Sequence, residues 1–296
     1  MAAKSRKKIS LFNIFNITGF IIFSILVIYP FWQTIVLSFS DAESASSLGL
    51  NLWPDKWIPD AYQYVFTYEN IMVAYLNTII RTVIGTALIV CFTVLAAYPL
   101  SKKDLPYRNF FTIFFLIAMF FSGGMIPDYL LIKNLGLLNN SLSLILPSAV
   151  NVFFIIIMRN YFMTIDKGLE ESAIMDGANY LTILTKIIIP VSKPVIATVA
   201  LWAAVYHWNE WFHALVYIQD DSKTVLQIVV RDMLTAMDIS NSQGAQMGGG
   251  GMSSAELMLS NVRAATVMIS IGPIVLIYPF VQKYFIKGIM IGSLKG

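Results

Sequence analysis

Six stretches of about twenty residues or more carry at most one charged side chain each, and no other feature restricts the possible folds as strongly. Residues 9–40, 109–127, 134–158 and 264–282 contain no Asp, Glu, Lys or Arg; residues 71–101 contain only Arg81, and 187–209 only Lys193. A helix rises about 1.5 Å per residue, so roughly 20 apolar residues cross the ~30 Å hydrocarbon layer of a membrane. Charged residues are 12% of the chain against 57% hydrophobic, about half the charged share of an ordinary soluble domain. The expectation is an all-α integral membrane protein with six transmembrane helices and no soluble domain.

The cations orient it. With the N-terminus in the cytoplasm, Lys4, Arg6, Lys7, Lys8, Lys102, Lys103, Arg108, Arg159, Lys167, Lys186, Lys193, Lys283, Lys287 and Lys295 fall inside. Lys56, Lys133, Lys223, Arg231 and Arg263 fall outside, and Arg81 stays within a span. That is 14 against 5, the bias of the positive-inside rule. Both termini are expected in the cytoplasm: a tail at 1–8, a membrane domain at 9–285 and a second tail at 286–296. The first apolar run covers 32 residues, too long for a signal-peptide core of about 7–15, so it reads as a retained helix. A single cysteine, Cys91, excludes an intrachain disulfide and reads as a small apolar packing residue.

Residues 121–127 end the third helix, Gly136 with Asn139-Asn140 breaks the chain before the fourth, and the loops are unequal. Residues 160–192 form the most polar stretch on the inner side and read as helix, turn, helix. Acids alternate there with Leu169, Ala173 and Met175. Gly177 stands where the chain bends, and Pro190 marks the end or a kink of the second helix. Composition alone also fits a plain solvated connector. The longest exterior loop, 213–263, contains Gly248, Gly249, Gly250 and Gly251. No lysine follows that run, and no G-x-x-x-x-G-K-[ST] occurs, so it is a flexible segment and not a phosphate cradle. Around the end of the fifth span stand Trp202, Tyr206, His207, Trp208, Asn209, Glu210, Trp211 and His213, either an interfacial aromatic belt or a solute-stacking or gate-lining surface. Trp202 and Tyr206 share a helical face. His207 and His213 do not, and no third ligand is apparent, which argues against a metal site. Arg81 is costly against lipid; it either snorkels to the outer interface or meets an anionic substrate or an acid on a partner.

The stretch Glu170, Glu171, Ser172, Ala173, Ile174, Met175, Asp176, Gly177, Ala178, continuing to Ile187 and Pro190, resembles the "EAA" loop of binding-protein-dependent ABC importers. The sugar branch of that family reads E-A-A-x-x-D-G-A, five residues, F-x-x-I-x-L-P. Glu171, Ala173, Asp176, Gly177, Ala178, Ile187 and Pro190 match at that spacing, while Ser172, Leu184 and Ile189 are size-tolerant departures. Asn77-Thr78, Ala97-Tyr98-Pro99-Leu100-Ser101, Trp208-Asn209-Glu210-Trp211-Phe212 and the tail Lys287-Gly288 to Lys295-Gly296 are similar to the same family. Phe121-Ser122-Gly123-Gly124-Met125-Ile126-Pro127 and residues 130–138 look most like its oligosaccharide branch, which includes uronate-containing substrates.

The resemblance implies a type I importer permease fold and a division of labour. A second, different permease, two ATPase subunits that use ATP and Mg, and an extracytoplasmic sugar-binding protein would complete the assembly. This chain would bind no cofactor, metal or nucleic acid and catalyse nothing itself. Glu170, Glu171, Ala173, Asp176, Gly177, Ala178, Ile187 and Pro190 would couple it to the ATPase. Arg81, Asn151, Trp202, Tyr206 and Asn209 would line the substrate path, and Gly248–Gly251 would reach the binding protein. Two alternatives stay open: a permease of the same superfamily for a non-sugar solute, and a self-sufficient secondary carrier. A membrane enzyme would need an acid–base or metal constellation, and the acids Glu170, Glu171 and Asp176 have no histidine beside them.

Overall fold

The computed structural model describes residues 11–41, 52–54, 56–68, 70–246 and 254–293. Every regular element among them is helical. The chain divides into two compact units, one formed by the chain up to Tyr68 with Asp232–Ser270, the other by Glu69–Arg231 with Ile271–Gly296.

In the first unit, α1 (Leu11–Phe39) is followed by α2 (Asp60–Thr67). The first two-thirds of α1 lies open on all sides, with exposed Phe12, Phe15, Phe20, Ile22 and Leu26, as suits a helix solvated by lipid. Only its far end is packed. Phe39 meets the rings of Trp57 and Tyr62 with centroids 5.3 and 4.8 Å apart, and Trp32 donates its indole N–H to the Leu52 carbonyl at 2.8 Å. Buried Asn261 donates to the Ser40 carbonyl at 2.8 Å, which satisfies a carbonyl at the helix end.

The second unit is built on α3 (Ile71–Ser101), which packs along α9 (Lys193–Asn209) and α6 (Val152–Phe162). Its buried positions Ala74, Thr78, Arg81, Gly85, Ile89, Thr93 and Ala97 recur every three or four residues and so form one stripe. The facing stripe on α9 is Val195, Val199, Ala203 and His207. Small residues dominate the α3 stripe. In lipid there is no hydrophobic force between helices, and close backbone approach supplies the packing instead. The tightest point is Gly85, where an added Cβ would lie 2.2 Å from His207 Nε2. Gly85→Ala is therefore expected to push α3 from α9 at an overpacking cost of about 1–3 kcal/mol. Thermal melting of the purified chain checks this: a lowered midpoint that Gly85→Ala/His207→Ala recovers is the expected result, and an unchanged midpoint would refute the contact.

The breaks that the sequence marks in its apolar runs are found in the fold. Residues 121–127 end the third helix: α4 (Arg108–Phe120) and α5 (Met125–Asn134) meet at a 108° bend. Gly124 there takes φ 85°, open to glycine and strained for other residues. The uncharged run 134–158 is not a continuous helix. It consists of turns, a 3-10 segment Ser141–Leu144 and the first part of α6, because Gly136 and Asn139, at φ 68° and 55°, interrupt it. Pro190 lies at the end of its helix, as expected. α8 (Tyr180–Val191) absorbs the missing N–H with a π segment at Leu184–Ile188, then an 82° bend leads into α9. The expected exterior loop 213–263 contains most of α10 (Phe212–Tyr217), all of α11 (Leu226–Gln246) and the start of α12 (Ser254–Ser293), which itself runs on into the segment expected as a tail. Gly248–Gly251 lie outside the described residues. Among the described residues, three helices are long and apolar enough to cross a membrane, and up to five segments if each bent pair is one span.

Candidate functional site

The Glu170–Pro190 segment forms two helices around a glycine turn. α7 (Lys167–Met175) begins at Asp166, whose side chain accepts from the Gly168 N–H at 3.0 Å. It ends in a Schellman arrangement: Ala178 N–H donates to the Ala173 carbonyl and Gly177 N–H to the Ile174 carbonyl, both at 2.9 Å. Gly177 makes this possible at φ 80°. Asn179 then caps α8 by accepting from the Thr182 N–H at 2.8 Å. Both ends of the turn are thus fixed by hydrogen bonds that are local in sequence.

What braces the turn is not local. Ala173, Ile183, Leu184 and Ile188 are buried in one cluster with Ile89, Val94 and Ala97 of α3, Phe154, Ile155 and Met158 of α6, and Val195, Val199 and Ala203 of α9. Glu170 pairs with Lys102, just beyond the end of α3, and that ammonium lies 4.4 Å from the centre of the Tyr98 ring. The other side of the turn is open: Ile174, Met175, Tyr180 and Leu181 expose half or more of their surface, Met175 88%. Glu171, Asp176, Gly177 and Pro190 are also exposed, while Ala178 and Ile187 pack partly against the core. The turn thus presents an exposed, mixed apolar and acidic tip on a buried base. The basic loop was legible in the sequence; its use as a brace through Lys102 was not.

The second group of expected residues gathers at the opposite end of α9, the end that follows Asn209. Arg81, 3% exposed, neither snorkels nor awaits a partner. It donates from one nitrogen to Glu210 Oε2 at 2.9 Å and from another to the Glu210 carbonyl at 2.8 Å. Glu210 Oε1 in turn accepts from the backbone N–H of His213 at 3.0 Å and lies 3.0 Å from His213 Nδ1. That hydrogen bond holds the His213 imidazole above its ordinary pKa, against the opposing effect of burial. The sequence reading of Arg81 missed this internal acid because 129 residues separate the pair. Asn77 and Thr78 on the same helix pin the chain around 222–226: Asn77 donates to the Ser222 and Thr224 carbonyls at 2.9 Å, and Thr78 Oγ accepts from the Leu226 N–H at 2.9 Å.

Trp202 and Tyr206 lie on an exposed face of α9, and the Trp202 ring stacks on Phe154 at 6.0 Å and meets Phe153 at 6.3 Å. Asn151 caps α6 by accepting from the Phe154 N–H at 3.2 Å, and so positions that aromatic platform. Asn209 folds back to donate to the Val205 carbonyl at 2.9 Å. Nearby in the chain, at the α4–α5 break, a cavity of about 190 Å³ is lined by Ser122, Asp128, His213 and Tyr217 among others. No group of three or more metal-ligating side chains occurs among the described residues.

Comparison with known proteins identifies the family. Residues 71–291 match the family described as binding-protein-dependent transport system inner membrane component. The polygalacturonan/rhamnogalacturonan transport system permease protein YtcP of Bacillus subtilis is 38% identical over 281 residues, covering 95% of this chain and 97% of that protein. Protein LplC of the same organism is 40% identical over 271 residues, covering 92% and 90%. A chain from the crystal structure of a bacterial ABC transporter involved in the import of the acidic polysaccharide alginate superposes with a TM-score of 0.82 at 34% identity, covering 96% of this chain and all of that one. The chain therefore belongs to the binding-protein-dependent transport system inner membrane component family, the membrane-embedded permeases of ABC importers.

Proposed function

We propose that this chain is one of two permease subunits of an ATP-driven importer for acidic, uronate-containing oligosaccharides, delivered by an extracytoplasmic binding protein. The observation that carries the reading is the braced turn at Gly177, with an open tip and a base buried among three spans. Such a tip fits a cleft on an ATPase subunit, and its rigidity lets closure of that subunit move α3, α6 and α9 together. Six crossings with both termini in the cytoplasm agree with the 14-to-5 distribution of cations and place this turn on the ATPase side. α6, with the turns before it, then supplies the sixth crossing. ATP and Mg belong to the partner ATPases.

Support for an acidic sugar comes from the polygalacturonan/rhamnogalacturonan permease and the alginate importer to which the chain is similar. The sugar path is assigned to the exposed Trp202–Tyr206 face of α9 with Phe153 beside it. There rings can stack and hydroxyls can meet Asn209. Arg81 is excluded from direct contact with the sugar carboxylates because Glu210 already neutralises it.

The test is uptake of labelled oligogalacturonates and of neutral oligosaccharides by cells with and without this chain. Deletion is expected to abolish uptake of the acidic oligomers and leave that of neutral ones intact, while Trp202→Ala raises KM about tenfold, the loss of roughly one stacking contact. Undiminished acidic uptake in the deletion strain would overturn the assignment.

A further inference from the structure

The geometry points to a binding site for the headgroup of an anionic phospholipid at the junction of α3, α4 and α6, held by Arg108 and Arg159. Arg108 is the first residue of α4, and Arg159 lies in the last turn of α6. The Nε of each donates to the same acceptor, the Leu100 carbonyl near the end of α3, at 2.9 and 3.1 Å. One cation suffices to satisfy a helix-terminal carbonyl. Two guanidiniums drawn to one oxygen repel each other, and no carboxylate among the described residues pairs with either.

The remaining nitrogens are the useful ones. Arg108 spends a further nitrogen only on a long 3.5 Å contact with Met163 Sδ, and the outer nitrogens of Arg159 have no acceptor among the described residues. Two planar forks fixed at their inner nitrogens form a clamp for the tetrahedral oxygens of a phosphate. The other charges close by do not dissolve this excess. Lys102 is paired with Glu170, and the exposed Lys103 and Asp104 offset one another.

The surroundings select a lipid as the source of the phosphate. α4 starts at this point and has no buried residue along its whole length. Phe110, Phe111, Ile113, Phe114 and Ile117 are all exposed, a surface that acyl chains solvate. Tyr107, 81% exposed at φ 56°, projects at the helix start, the interfacial place such rings favour. A lipid whose phosphate meets the two guanidiniums can lay its chains along α4, which a free phosphate or a soluble protein cannot do. The inference is independent of the transported solute.

The test uses the full-length chain in nanodiscs of phosphatidylglycerol and phosphatidylcholine in equal amounts, with retained lipid counted by native mass spectrometry. Wild type is expected to retain phosphatidylglycerol with roughly thirtyfold enrichment, what two cations near an anionic surface contribute. Arg108→Gln/Arg159→Gln should fall to no enrichment, and Lys133→Gln, in the last turn of α5, should match wild type. If the double variant melts early, Arg159→Lys serves in its place: it keeps the charge but loses the fork, and intermediate enrichment supports the site. Equal enrichment in wild type and double variant would overturn it. So would displacement of the lipid by millimolar inorganic phosphate, which would make free phosphate the ligand, or loss of a co-purifying soluble subunit with lipid retention unchanged, which would make the surface a protein contact.

Discussion

Replacing Arg81 with leucine is expected to destabilise the protein by about 3–5 kcal/mol, the cost of stripping one partner from a buried ion pair. The side chains of Arg81 and Glu210 are 3% and 12% exposed, so neither has much water to fall back on. Once Arg81 is gone, Glu210 retains only the donors of His213. Removing Glu210 should be worse, because it leaves a guanidinium in the packed stripe of a membrane helix, where an unpaired charge is among the most costly groups. The paired replacement Arg81→Leu/Glu210→Leu should regain most of the loss, since two apolar side chains need no partner. Melting of the purified chain in detergent and the yield of inserted protein measure this. A single Arg81→Leu variant as stable as wild type would mean that the pair holds nothing together.

That experiment also bears on what a sequence can reveal. The uncharged runs show which residues can tolerate apolar surroundings, and α1, α3 and the core of α12 follow them closely. They say nothing of whether the backbone within a run is continuous. Residues 109–127 break at Gly124 and 134–158 at Gly136 and Asn139, and what marks these breaks in the sequence is the turn-forming residues themselves, not the charge spacing. Loop length did mislead. Residues 213–263 are mixed in polarity and rich in small residues, yet α10, α11 and α12 take most of them, because tertiary packing and not composition decides such segments.

The candidate site divides along the same line. The turn at Gly177 was legible because everything that shapes it, from Asp166 to Asn179, is local: a cap, a glycine and a second cap. The braces were not. Lys102 with Glu170, Arg81 with Glu210, and Arg108 with Arg159 on one carbonyl join residues separated by 68, 129 and about 50 positions, and no periodicity links them. A lone arginine in an uncharged run left open the outer interface, a substrate anion or an acid on a partner, and did not point to an acid in its own chain.

The same local legibility makes Gly177→Val the sharpest test of how the chain works. The position is open, with nothing within 4 Å of an added Cβ, so the substitution creates no clash. Its cost lies in the backbone: φ 80° is a conformation that a β-branched residue adopts only at about 1–2 kcal/mol or more. Relief of that strain would twist the turn and break the bonds from Gly177 and Ala178 to Ile174 and Ala173. The buried base of α7 and α8 would remain in place, since Ala173, Ile183 and Ile188 are untouched. The expected result is therefore a chain that inserts and melts nearly as wild type, in an assembly that still hydrolyses ATP but takes up solute at least tenfold more slowly. Gly136→Val is the control. It meets the same backbone penalty at φ 68° in equally open space, but away from the turn, so it should cost comparable stability and leave hydrolysis coupled to uptake. Normal uptake by Gly177→Val, or equal uncoupling by both variants, would remove the turn from the coupling mechanism and leave it a structural bend.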